Sequence, residues 1–155
     1  MNFKKKVDQL LGNSLKKYPK LFLISFTITI DNKIKIILDG DNGVSINDCM
    51  IISRGIENNL DREDHDFAIE VSSVGAEDLF VDRRQYKKNI NRTLSVIDLD
   101  KNKFKGKLVS ANEGEILIQW KQREPKLIGN GKITKIKSKL LSYSEILEAK
   151  VIINF

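Results

Sequence analysis

The amino-acid sequence predicts an α+β protein of two domains, and three observations predict it. The first half follows the order helix, strand, strand, helix, strand. The second half is a run of short strands at close spacing, broken by glycine and asparagine turns, which is the pattern of a small β-barrel. The charge also changes sign between them: residues 1–81 hold ten Lys and Arg against thirteen Asp and Glu, whereas residues 82–155 hold seventeen against eight. An α+β domain is therefore expected over 1–81 and a barrel over 82–155.

Phe3, Val7, Leu10, Leu11, Leu15 and Tyr18 recur at helical spacing with Lys4 to Lys6, Gln9, Asn13, Lys16 and Lys17 opposite them, so an amphipathic helix is predicted near 2–18, stopped by Pro19. Leu21 to Ile30 alternates, with Phe22, Ile24, Phe26, Ile28 and Ile30 sharing one face. A turn at Asp31–Lys33 leads to Ile34, Ile36 and Leu38, which completes a hairpin. Ser45 with Asp48 three residues later is an N-cap with an acidic partner, and Ile46, Cys49, Met50, Ser53, Ile56 and Leu60 trace the stripe of a second helix. Phe67, Ile69 and Val71 then form a third strand, so two helices can cover one face of a three-stranded sheet.

In the second half, Arg83 to Ile90 can make a short helical turn and Thr93 to Asp98 a strand, followed by a turn at Asp100–Lys103. Phe104, Gly106 and Leu108 alternate with Lys103, Lys105 and Lys107, and a glycine in mid-strand fits a sharply curved sheet. Ile116, Ile118 and Trp120 share the inner face of the next strand, opposite Leu117, Gln119 and Lys121. A loop is expected over 122–130, a strand from Gly131 to Lys137, a helical turn within 144–150 and a closing strand over 151–155.

The 155 residues are 41% hydrophobic, enough to build cores rather than a disordered chain. One cysteine, Cys49, and one histidine, His65, exclude an intrachain disulfide and a Cys/His metal cluster. Asp39-Gly40-Asp41-Asn42-Gly43 spaces carboxylates as a calcium loop does, but Gly43 and Met50 stand where oxygen ligands are needed, so no metal is expected. No apolar run approaches a membrane span, and a cytoplasmic protein without a cofactor is expected. Ser72 and Ser73 lie in no nucleophile motif, there is no phosphate-binding glycine loop, and His65 sits among surface carboxylates. Catalysis is therefore not expected, although a hydrolase using Ser72 or Ser73 is the reading that alanine changes there would test.

Two segments carry a resemblance. L-D-G-D-N-G-V-S-I-N-D-C-M, from Leu38 to Met50, followed by I-E-V-S-S-V-G, from Ile69 to Gly75, resembles the signature of the RimP family of ribosome maturation factors. The matching positions are Asp39, Gly43, Asp48, Cys49, Glu70, Val71, Ser72, Ser73 and Gly75, and a closing I-x-x-A-x-V pattern falls at Ile146, Ala149 and Val151. Where the family continues P-G-L-D-R-P-L, this chain reads Val74-Gly75-Ala76-Glu77-Asp78-Leu79-Phe80, so the loop arginine and both prolines are absent and a less rigid junction is expected. The resemblance implies a KH-like α+β first domain and an SH3-like or Sm-like barrel. It also implies a non-enzymatic, monomeric assembly factor for the free 30S small ribosomal subunit, with contacts to 16S rRNA and to small-subunit protein twelve. Ser72, Ser73 and Gly75 would then shape the interdomain junction.

The residues expected to meet RNA come from charge and alternation. Lys103, Lys105 and Lys107 form one row on a strand, Lys135 and Lys137 a shorter one, and Arg83, Arg84, Lys87 and Lys88 a cluster at the start of the basic domain. Alternate strand positions stand about 6 to 7 Å apart, close enough for successive ammonium groups to meet successive phosphates. The competing reading of each row is the wet face of an edge strand. A free-standing Sm-like regulator of small or messenger RNA is the alternative function. Trp120 could stack a base, but its alternation with Ile116 and Ile118 favours the core.

Overall fold

A computed structural model describes residues 2–63 and 66–153. His65 and the last two positions of the expected closing strand lie outside the described residues. The fold is α+β, with three α-helices and two sheets among the described residues. The chain divides into two compact units between Gly75 and Ala76.

The first unit runs α1 (Phe3–Lys16), β1 (Leu21–Ile28), β2 (Lys33–Gly40), α2 (Ile46–Glu57) and β3 (Ala68–Ser73). Asn2 starts α1 by accepting the Lys5 N–H at 2.8 Å, one of the amides the first helical turn leaves without a carbonyl. The predicted stripe then packs: Val7 and Leu11 are fully buried, with Phe3, Leu10 and Leu15 against them. Ser45 and Asp48 close a capping box at α2, each side chain accepting the other's backbone N–H at 2.9 and 3.0 Å. In the sheet β2 is central, antiparallel to β1 and parallel to β3. Ile34, Ile36 and Leu38 of β2 meet Val7, Leu11, Ile52 and Ile56 in one core, so both helices cover the same sheet face.

One detail of β1 departs from simple alternation. Leu23 pairs with Leu38 and Ser25 with Ile37, leaving Ile24 as a bulge. The extra residue switches the phase of the strand. Leu21 and Leu23 point to the core before it, and Phe26 and Ile28 after it, rather than the single set from Phe22 to Ile30. Ile30 falls in the turn and is fully exposed.

The second unit holds α3 (Arg83–Lys88) and strands β4 (Thr93–Asp98), β5 (Lys103–Ala111), β6 (Glu115–Pro125), β7 (Lys132–Ser142) and β8 (Ile146–Val151). All neighbours are antiparallel in the order β7-β6-β5-β4-β8. This order corrects the expected closed barrel: the sheet is open, with β7 and β8 as its edges. It nevertheless curls around one core. Leu141 of β7 and Ala149 and Val151 of β8 belong to the same apolar cluster, although two edges of a flat five-stranded sheet would stand about 19 Å apart. Tyr86 of α3 joins that cluster, edge-on to Phe80 at 4.8 Å and tilted against Tyr143 at 5.1 Å.

Two features of β5 permit the curl. A Cβ on Gly106 would stand 2.6 Å from the Gln119 carbonyl oxygen and 2.7 Å from Ile118 Cγ2, so only glycine lets β5 approach β6 this closely. Val109 is a bulge, left between the pairs Leu108 with Ile118 and Ser110 with Leu117. Of the segment 122–130, expected as a loop, the first four residues are strand, since β6 runs on to Pro125 and pairs with β7 back to Lys132, and the loop is confined to 126–130. Proline is tolerated there because it closes the last rung before the turn. The expected helical turn over 144–150 shrinks to a 3-10 turn at Tyr143–Glu145, and β8 begins directly after it.

Candidate nucleic-acid interface

Strand alternation places the β5 lysines. Phe104, Gly106 and Leu108 face the core, so Lys103, Lys105 and Lys107 stand exposed on the outer face, about 7 Å apart along the strand. Antiparallel register extends that face in both directions. Lys105 lies opposite Ser95 on β4, and Ser95 opposite Lys150 on β8. On the other side Lys107 lies opposite Gln119, from which alternation leads along β6 to Lys121 and Arg123. Lys132, opposite Pro125, completes the set.

Among the described residues none of these seven cations lies in an ion pair. The acidic side chains that alternation puts on the same face are Glu115 and Glu148, at its margins. An exposed ammonium group without a carboxylate partner keeps its full charge for a polyanion.

The other predicted cations are differently employed. Lys135 and Lys137 lie on the opposite face of the sheet, on the side of Trp120 and Gln122. Both are half-buried and both bind Glu124, at 3.3 and 2.8 Å. The Lys137 hydrogen bond, ahead of the opposing effect of burial and the bond from Lys135, holds the Glu124 carboxyl below the ordinary value. Lys139 continues this inner row. Burial pushes the Asp98 carboxyl up, but hydrogen bonds from Asn102 and Asp100 and the charge of Lys139 outweigh it and leave the group lowered.

The α3 cluster is also committed internally. Lys87 Nζ sits 2.9 Å from Glu113 Oε1, and Arg83 donates to the Glu113 carbonyl oxygen at 3.1 Å with its guanidinium 4.9 Å over the Tyr143 ring. Lys87, through its hydrogen bond and then its charge, lowers the Glu113 carboxyl. Arg84 and Lys88 have partners of their own. Four basic side chains that look alike in sequence thus include a clamp between α3 and the β5–β6 turn.

Most of the signature residues lie on β2, β3, α2 and the loop between β2 and α2. Asp39 is buried at the end of β2 and accepts the Gly40 N–H at 2.8 Å. Gly43 has φ +86°, a conformation that favours glycine, and donates to the Gly40 carbonyl at 3.0 Å. Asp48 belongs to the α2 cap. Cys49 is half-buried on α2, and burial, then the charge of Asp48, raises its thiol above the ordinary value. Glu70 reaches Lys33 at 3.7 Å. Ser72 and Ser73 end β3 opposite Ile37 and Leu38. No group of three or more acidic, Cys or His side chains is placed to hold a metal among the described residues, and no helix there is long and apolar enough to cross a membrane.

Lys121, Arg123, Lys132 and Lys150 were not singled out from the sequence. Lys121 was visible in the alternation with Gln119. Arg123 is hidden in a stretch that reads as loop and Lys150 in one that reads as helix, whereas Lys132 stands in the expected strand from Gly131 to Lys137.

Known proteins match both units. The family model of the RimP N-terminal domain matches residues 19–77. The chain is 51% identical over 152 residues to the ribosome maturation factor RimP of Christiangramia forsetii, covering 98% of this chain and 99% of that protein. It is 48% identical over 155 residues to the RimP of Flavobacterium psychrophilum, covering all of both chains. The RimP of Porphyromonas gingivalis is 35% identical over 98 residues, 63% of this chain. Identity near one half along the whole length makes the chain a member of the RimP family of ribosome maturation factors.

Proposed function

We propose that the protein is a non-enzymatic assembly factor that binds the free small ribosomal subunit in the cytoplasm as a monomer, with the outer face of the second unit against rRNA. The observation that carries this reading is the set of seven cations on one face without an ion pair among the described residues, from Lys150 on β8 through Lys103, Lys105 and Lys107 to Lys121, Arg123 and Lys132. Charges at strand spacing on a curled sheet suit a phosphate backbone: they provide affinity and orientation, with little choice of sequence. The curled sheet is an open relative of the SH3-like or Sm-like barrels, and the two compact units act as separate domains.

The first unit, residues 1–75, holds ten Lys and Arg against eleven Asp and Glu and so lacks the basic excess of the second. It serves a protein partner, and a basic ribosomal protein such as small-subunit protein twelve is the fitting class. Density-gradient sedimentation tests the assignment directly. The protein is expected to travel with free small subunits and to leave assembled ribosomes. Migration with neither, together with tight binding to short free RNAs, would instead support an RNA regulator.

A further inference from the structure

The β6–β7 hairpin is longer than the core needs. Five rungs, from the pair Lys121 with Ile136 to the pair Pro125 with Lys132, extend past Trp120 and contribute nothing to the buried cluster. At strand rise they make an arm of about 17 Å. It is built to hold its shape: Glu124 ties Lys135 and Lys137 across the strands, and the Lys126 N–H donates to the Gly131 carbonyl at 3.1 Å to close the tip. Gly129 and Gly131, at φ +87° and +96°, supply the left-handed backbone that the turn requires.

At the tip Leu127 and Ile128 are 92% and 91% exposed. Two adjacent aliphatic side chains exposed at the end of the arm have no packing role among the described residues. What surrounds them indicates their partner. Arg123 and Lys121 lead up one strand, Lys132 sits at the start of the other and Lys126 at the turn, and no acidic residue shares the outer face of the arm. The arm is therefore a continuation of the basic outer face that ends in an apolar point.

We infer that the arm enters folded RNA, its outer-face cations on the backbone and Leu127 and Ile128 against the faces of unpaired or unstacked bases. Apolar side chains flanked by cations serve other nucleic-acid-binding proteins as wedges in this way. A protein pocket would accept the same two side chains, but it would not call for an approach flanked by cations alone. The inference rests on the outer face being the RNA surface, and it adds a contact that does not depend on charge.

The test uses the full chain and an RNA hairpin with an internal loop in which one base is replaced by the fluorescent analogue 2-aminopurine. Binding of the wild type is expected to change the analogue's fluorescence. Leu127→Ser with Ile128→Ser is expected to weaken binding by about tenfold, to abolish the fluorescence change, and to leave the salt dependence and the urea midpoint as they were. Lys103, Lys105 and Lys107 changed together to Gln should do the reverse, flattening the salt dependence while the change persists at saturation. Equal affinity and equal fluorescence for wild type and tip variant overturn the arm's role and leave the outer face standing. Tip changes that weaken binding to free small subunits but not to the RNA overturn it in favour of a protein contact. A wild type without salt-dependent RNA binding overturns the outer-face reading and the arm together.

Discussion

Replacing Lys103, Lys105 and Lys107 together by Gln separates a phosphate-binding face from a merely wet one. The three side chains are exposed, carry no ion pair among the described residues and stand on backbone whose other face is core, so removing their charge leaves Phe104, Gly106 and Leu108 in place. Surface changes of this kind shift stability by about 0.5 kcal/mol or less. Each phosphate neutralised by a cation contributes about 0.7 to 0.9 to the slope of log affinity against log salt, so losing three contacts lowers the slope by about 2 to 3. Between about 50 and 200 mM salt the wild type should then lose about 20- to 40-fold more affinity for free small subunits than the variant does. A second triple variant, Lys87, Lys135 and Lys137 to Gln, removes the same charge from side chains already bound to Glu113 and Glu124. Its slope should stay within about 0.5 of the wild type. Fluorescence anisotropy of labelled protein across a salt series gives both slopes. Equal slopes for the two triples would refute the reasoning, because position would then not matter and net charge alone would act.

Two further outcomes follow from the second unit. Gly106→Ala puts a methyl group against the Gln119 carbonyl, a backbone atom with no room to yield, and overpacking of this kind costs about 1 to 3 kcal/mol; urea denaturation should report it, whereas Gly12→Ala, with open space around it, should destabilise nothing. Tyr86 is pushed from 10.0 to about 12, first by burial and then by the nearby Tyr143 hydroxyl. The folded state therefore holds a proton that the unfolded chain releases above pH 10, so the contribution is intact below pH 10 and falls away as pH rises toward 12. Tyr86→Phe should remove that alkaline decline in the urea midpoint, and a decline of unchanged steepness in the variant would show that another group carries it.

What periodicity can show, it showed in this chain. The stripe on α1, the Ser45–Asp48 cap, strand β4 and the outward β5 lysines are all local patterns, set by residues a few positions apart. The bulges at Ile24 and Val109 are not legible in that way, because one inserted residue changes the phase of a strand without changing its composition. Pairing is harder still. Lys135 and Lys137 look as free as Lys103 and Lys105 until β6 brings Glu124 beside them, and Lys87 looks free until the β5–β6 turn delivers Glu113. Which cations remain available is decided by cross-strand register, and register was not legible once Pro125 and the glycines of the arm were read as the end of a strand. The open sheet follows from the same cause: β8 begins where the sequence reads as helix.

The division between engaged and unengaged cations also bears on how the molecule meets a partner. A lysine clasped to a carboxylate is a short dipole whose field fades within a few ångströms, whereas an unclasped one is felt across a Debye length, about 8 Å at physiological salt. With seven unclasped charges on the outer side of the curled sheet, the second unit has a lasting electrical polarity. A polyanion turns such a body before touching it, so collisions arrive with the correct side leading, and the orientational search that slows most protein docking is shortened.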